Sequence, residues 1–213
     1  MNAVAADATR QPSRTLTIVI LGSLALLAVW FIATRAWPYA SYSPVSYSDY
    51  FWPRRWGLIP HLLGGFVALT TGLVQLWLGL TNRVARLHRT LGKVYVSAII
   101  VGSVGGYYLS LTIPAKDVVY GAGLFMLCTA WIITTSMAVL AIRRRNLIQH
   151  REWMLRSYTV TFAFVTYRIL ADALRGWHVM SSDDAGTVMA WACWAVPLLL
   201  VEPLIQLRKL RAH

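Results

Sequence analysis

Six blocks of apolar residues, each about 20 residues long, take up most of this 213-residue chain. A helix needs roughly 20 apolar residues to cross a bilayer, so each block is long enough to span one. Only 13% of the residues are charged, whereas a soluble domain carries about a quarter. The sequence therefore predicts an all-α integral membrane bundle of six transmembrane helices, at about residues 15–35, 57–80, 90–113, 119–142, 153–174 and 186–207.

The blocks predict one transmembrane domain at residues 15–207, between an N-terminal tail at residues 1–14 and a C-terminal tail at residues 208–213. The first apolar run, from Thr15 to Thr34, is longer than a signal-peptide core and ends in a poor cleavage site, so we expect a retained helix. Residues 36–56, rich in Tyr, Trp, Ser and Pro, are typical of an interfacial loop with aromatic anchors.

The basic residues alternate between the two sides of the predicted bundle. Thirteen Lys and Arg residues fall in the two tails and the connections between helices 2 and 3 and helices 4 and 5, against five on the other side. Basic residues are retained on the cytoplasmic side, so both termini are predicted to be cytoplasmic. The net charge of +12 is thus explained by membrane topology, and nucleic acid is not predicted as a partner.

Two basic segments resemble each other, which indicates a weak internal repeat. Leu80–Lys93 aligns without gaps to Ile142–Leu155, so that His88 matches His150, Arg89 matches Arg151 and Arg83 matches Arg145. Helices 2–3 and helices 4–5 would then be two parallel hairpins.

The repeat predicts that His88 and His150 lie across from each other at the cytoplasmic side. Ionisable groups at membrane depth are costly and are candidates for function. Two facing imidazoles can be the axial ligands of a haem iron, here haem b, with Arg89, Arg151 and Arg156 neutralising its propionates. The alternative is that these His-Arg steps only anchor helix ends among lipid headgroups.

A second set of polar residues is predicted at the outer side. His61 and His178 could form a second histidine pair, and His61, Asp172 and His178 together could bind a divalent metal. Structural ion pairs are the alternative, between Arg168 and Asp172 four residues apart on one helix, and between Arg156 and Glu202 across helices 5 and 6.

Other residues within the apolar blocks favour packing roles. The glycines of helices 2 and 3 allow close approach of the two backbones. Gln75 is predicted to make an interhelical hydrogen bond, and Cys128 and Cys193 are interpreted as small buried side chains without ligand spacing.

Four segments resemble the prokaryotic membrane family called domain of unknown function 2306. They are Pro60–Gln75, Leu87–Val96, Gln149–Ile169 and Trp191–Ile205, within a resemblance that covers roughly residues 57–205. The resemblance implies a multi-pass protein of the prokaryotic cytoplasmic (inner) membrane and supplies no assigned reaction. It implies these signature positions: His61, His88, Arg89, His150, Arg151, Met154, Arg156, Arg168 and Glu202. The chain departs from the family pattern at Pro197, where Asn is frequent.

The leading hypothesis is a haem-binding, electron-transferring or redox-associated membrane protein with a redox protein or a quinone as its partner. The histidine distribution is similar to that of the ascorbate-reducible diheme cytochromes b, although helix 4 has no histidine to complete their second pair. The alternatives are a non-enzymatic assembly or scaffold protein of the bilayer and a small transporter.

Overall fold

The computed structural model describes residues 14–81, 84–114 and 117–210. Every regular element in this part of the chain is helical, so the prediction of an all-α fold is confirmed. Residues 1–13 and 211–213 of the two predicted tails lie outside the described residues, as do Arg83 of the predicted repeat and Lys116.

The described residues form eight α-helices. A π-helical turn at Ile32–Ala36 and a 3-10 turn at Trp37–Ser41 follow the first of them. The helices are α1 (Arg14–Phe31), α2 (Pro44–Phe51), α3 (Arg55–Thr81), α4 (Ala85–Leu111), α5 (Val118–Arg143), α6 (Leu147–Thr161), α7 (Ala163–Gly176) and α8 (Ser182–Leu210).

Within the described residues, five helical segments are long and apolar enough to cross a membrane. Large apolar side chains cover their outer surface, for example Leu26 (74% exposed), Leu199 (70%) and Leu204 (63%). A soluble monomer rarely exposes so much contiguous apolar area, whereas a bilayer requires it. The segments are Thr15–Ser41, Arg55–Gly79, Ala85–Leu111, Val118–Arg143 and Ser182–Leu207.

The predicted fifth helix, residues 153–174, is interrupted and is longer than expected. It forms α6 and α7, which meet at Phe162. Just before the break, the hydroxyl of Thr161 donates to the carbonyl of Ser157, and the hydroxyl of Thr166 donates to Phe162 just after it. Such back-bonding bends helices because the side chain competes with the backbone for the same carbonyl.

Residues 36–56, expected as a loop, are largely helical and form an aromatic layer. Tyr47 of α2 is buried, and its ring packs edge-on against Tyr39 and Trp52. The guanidinium of Arg54 lies 3.4 Å from the ring centroid of Tyr50. The prediction of a loop is therefore wrong for most of these residues, because a helix as short as α2, with eight residues, leaves little pattern in the sequence. Anchoring of the aromatic side chains at the membrane interface stays a prediction.

Helices α3 and α4 pack against each other most closely, through glycines, as predicted. A Cβ atom on Gly64 would lie 2.4 Å from the backbone nitrogen of Gly102, and a Cβ atom on Gly105 would lie 2.3 Å from the carbonyl oxygen of Gly57. Only glycine, which has no Cβ atom, allows the two backbones to approach each other this closely. The pairing is antiparallel, and it fixes which residues of α3 face the start of α4.

A buried network of hydroxyl groups joins α4, α5 and α6 in the middle of the bundle. The hydroxyl of Tyr95 shares hydrogen bonds with Ser157 (2.9 Å) and Thr161 (2.8 Å). Trp131 donates its indole N–H to Thr161 over 2.8 Å, and Thr135 bonds to Ser157 over 2.8 Å. All five side chains are at most 3% exposed, so these bonds have no competition from solvent or lipid.

Candidate functional site

His88 and His150 are brought together by equivalent positions on two helices. Each is the fourth residue of its helix, α4 for His88 and α6 for His150, so each ring leaves the first helical turn. The centroids of the two imidazole rings are 6.4 Å apart, and the ring planes are nearly perpendicular, at 89°. The two side chains therefore face the same space between α4 and α6.

The ring of His150 is held by the neighbouring helix α5. Its Nδ1 lies 2.9 Å from the carbonyl oxygen of Ala138. A carbonyl can only accept a hydrogen bond, so this contact places a proton on Nδ1, and in the neutral ring the lone pair is then on Nε2. A metal-binding histidine typically donates its second N–H in this way.

The ring of His88 lies against α3. A Cβ atom on Gly79 would lie 3.9 Å from its Cε1. The backbone carbonyl of His88 accepts a hydrogen bond from Nε2 of Gln75 over 2.6 Å, so the predicted interhelical bond of Gln75 is confirmed. Nδ1 of His88 and Oε1 of Gln75 are both buried without a partner among the described residues. Buried polar atoms are normally satisfied, so this corner of the bundle is suited to a water molecule or a ligand.

The three arginines predicted to surround a haem have different environments. Arg89 is exposed and its Nε donates to Ala85 of its own helix over 3.3 Å. Arg151 is exposed on α6, next to His150 in the chain. Arg156 donates from Nε (2.9 Å) and Nη2 (2.6 Å) to the same carboxylate oxygen of Glu202. Arg156 is thus committed to Glu202, whereas Arg89, among the described residues, makes only the hydrogen bond to its own helix.

His61 packs at the α3–α4 interface rather than in a polar cluster. Its Nδ1 lies 3.0 Å from the carbonyl oxygen of Gly102, and its ring is 5.2 Å from that of Phe164. His178 is exposed in the connection between α7 and α8. Among the described residues, no three His, Cys, Asp or Glu side chains lie together as a metal site, and His61, Asp172 and His178 have separate surroundings.

Asp172 has other partners than the predicted Arg168. One of its carboxylate oxygens pairs with Arg35 and the other with Arg175. Arg168 instead lies over the ring of Tyr167, 5.4 Å from its centroid. The correction follows from the turn after α1, which brings Arg35 next to α7, and from the i,i+3 spacing of Asp172 and Arg175.

Some pairs at the site were not predicted. Lys209 pairs with Glu152 over 2.8 Å, beside the Arg156–Glu202 pair that also joins α6 to α8. The support of His150 by Ala138 was also missed, because a backbone carbonyl leaves no signal in the sequence.

The chain was compared with known proteins. A family model described as predicted membrane protein (DUF2306) matches residues 58–205. The chain belongs to this family. The match runs from α3 to α8 and contains both histidines of the pair, while α1 and α2 precede it. No curated protein and no solved structure matches the chain.

Membership of the DUF2306 family agrees with the several candidate spans, and it identifies the chain as a membrane protein. The resemblance drawn from the four sequence segments is therefore confirmed. The family description names no substrate or reaction.

Proposed function

We propose that this DUF2306 protein is a redox-associated membrane protein in which His88 and His150 bind one haem iron. The observation that carries the proposal is the 6.4 Å separation of the two ring centroids. A bond between a metal and an imidazole nitrogen is about 2 Å long, so two rings that bind one ion from opposite sides would have centroids roughly 6 Å apart. Perpendicular planes are compatible with this, because each ring binds through a nitrogen in its own plane.

The groups around the two rings support the same role. The Ala138 carbonyl holds His150 in the tautomer whose Nε2 is a ligand. Gln75 holds the backbone of His88, where α4 begins. Arg89 and Arg151 follow the histidines directly in the chain and supply cations for two propionates. A bound haem would supply reversible one-electron transfer, with a redox protein or a quinone as partner.

The proposed topology has six spans with both termini in the cytoplasm. In it, α6 and α7 cross the membrane together as the interrupted fifth span, and α8 is the sixth. The proposed location is the prokaryotic cytoplasmic membrane. The orientation is supported by the distribution of Lys and Arg, with thirteen residues on the side of the termini and five on the opposite side. His88 and His150 then lie near the cytoplasmic face. The close packing of α3 with α4 and of α5 with α6 is what the proposed repeat requires.

The test is an absorption spectrum of the purified full-length protein, produced with added haem precursor. The reduced-minus-oxidised spectrum should show sharp α and Soret bands, and His88→Ala and His150→Ala should each remove them. His178→Ala is the matched control, because this histidine is exposed in a connection and should leave the bands unchanged. His61→Ala should also leave them unchanged, since a single haem is proposed. A correctly folded, colourless protein would reject the proposal.

The second candidate is a non-enzymatic assembly or scaffold protein. It is favoured by one observation: His61 and His150 both use Nδ1 to bind a backbone carbonyl of a neighbouring helix, which also serves to fix the helices. A transport pathway lined by the charged residues has less support, because Glu202 and Asp172 are each paired with arginines. A colourless protein that loses stability on His150→Ala would favour the scaffold.

A further inference from the structure

A groove runs between α4 and α5, and neither His88 nor His150 lines it. Its volume is about 280 Å³. Its polar lining residues are Thr135 and Ser136, which carry hydroxyl groups, and Arg143, which is its only charged lining residue. Its walls are otherwise aliphatic, formed by Val96, Ile99, Ile100, Ile132, Val139 and Leu140.

The length of the groove corresponds to one leaflet of a bilayer. Its lining on α5 extends from Ile132 to Arg143. At 1.5 Å per residue, this stretch of helix is roughly 16 Å long, and half of a hydrocarbon core is about 15 Å. A single acyl chain therefore fits from the membrane midplane to the end of α5.

The charge at the end of the groove complements a lipid phosphate. Arg143 is the last residue of α5 and is exposed. It makes no ion pair with any other described residue. Arg144 and Arg145, both exposed, follow it directly. A cluster of basic residues beside a transmembrane helix attracts anionic lipids, by about 1 kcal/mol for each Lys or Arg.

From this geometry we propose a phospholipid site in which the groove holds one acyl chain and Arg143 binds the phosphate, with a preference for an anionic headgroup. Thr135 does not compete for the ligand, because its hydroxyl is already bonded to Ser157 and to the carbonyl of Trp131. The site is independent of the proposed haem, and it would fix α4 against α5 from the lipid side.

Native mass spectrometry of the full-length protein in mild detergent tests the proposal, with phosphatidylglycerol and phosphatidylcholine of identical acyl chains as probes. Phosphatidylglycerol should be retained more strongly. Arg143→Gln should lower its retention about fivefold, the equivalent of one such arginine contact, and Arg144→Gln should lower it less. Val139→Trp fills the groove and should remove retention, whereas Ile133→Trp, on the exposed face of the same helix and outside the groove, should not.

Three results would overturn the site. Equal retention of the two lipids would exclude a headgroup preference. Equal losses on Arg143→Gln and Arg144→Gln would mean a diffuse attraction to the basic segment. A co-purified quinone that Val139→Trp displaces would show that the groove has a different occupant. Should Val139→Trp fail to fold, the comparison of the two arginine variants decides.

Discussion

The hydroxyl of Tyr95 on α4 lies 2.8 Å from the hydroxyl of Thr161, the last residue of α6. The bond crosses the bundle where α6 gives way to α7, and Trp131 of α5 donates to the same threonine oxygen. Three helices are thus tied together at the point where a fourth begins. The bonds are fully buried, so each one lost leaves polar groups without partners.

Tyr95→Phe should therefore destabilise the protein by about 1–2 kcal/mol, the upper range measured for hydrogen bonds between transmembrane helices. Thermal unfolding in detergent measures this as a lower midpoint. Tyr108→Phe is the matched control, because this tyrosine lies on the same helix and is 44% exposed, and it should leave the midpoint unchanged. Equal midpoints for the two variants would mean that the network has little energetic weight.

The close packing of glycines between α3 and α4 predicts a larger loss of stability than that of Tyr95→Phe. Gly105→Ala introduces a Cβ 2.3 Å from a backbone oxygen of α3, which cannot move without shifting the helix. We expect a loss of about 3 kcal/mol or more, at the upper end for overpacked cores. Gly65→Ala, whose Cβ would meet only Phe164 at an ordinary 3.6 Å, should be tolerated. The yield of monodisperse protein and its unfolding midpoint report both changes.

The Arg156–Glu202 pair predicts a non-additive effect. The side chain of Arg156 is 12% exposed and that of Glu202 is 44% exposed, so solvent weakens the pair and each single change should cost only about 1 kcal/mol. Arg156→Gln and Glu202→Gln should each lower the unfolding midpoint, and the double variant should recover part of the loss, since no unpaired charge is left. Strictly additive losses would show that the two side chains act separately.

The position of the histidine pair could be predicted from the sequence, because His88 and His150 follow similar basic segments at the same spacing. The break at Phe162 could not, since the apolar pattern continues through it. The partner of Asp172 was missed for a different reason. Arg35 is 137 residues away in the chain, and only the packing of α1 against α7 brings the two together.

The six-span topology predicts opposite sides for the two ends of the α6–α7 segment. Val179 lies just after α7, and Leu147 is the first residue of α6; both are exposed, at 59%. Single cysteines at these positions can be labelled with a membrane-impermeant maleimide in intact cells. Cys128 and Cys193 are buried, and replacing both with Ala removes any background labelling.

Val179→Cys should be labelled from outside, and Leu147→Cys only after the cells are permeabilised, because the basic segment before α6 is retained in the cytoplasm. Labelling of both cysteines from the same side would mean that α6 and α7 do not cross together, leaving five spans and placing the two termini on opposite sides of the membrane.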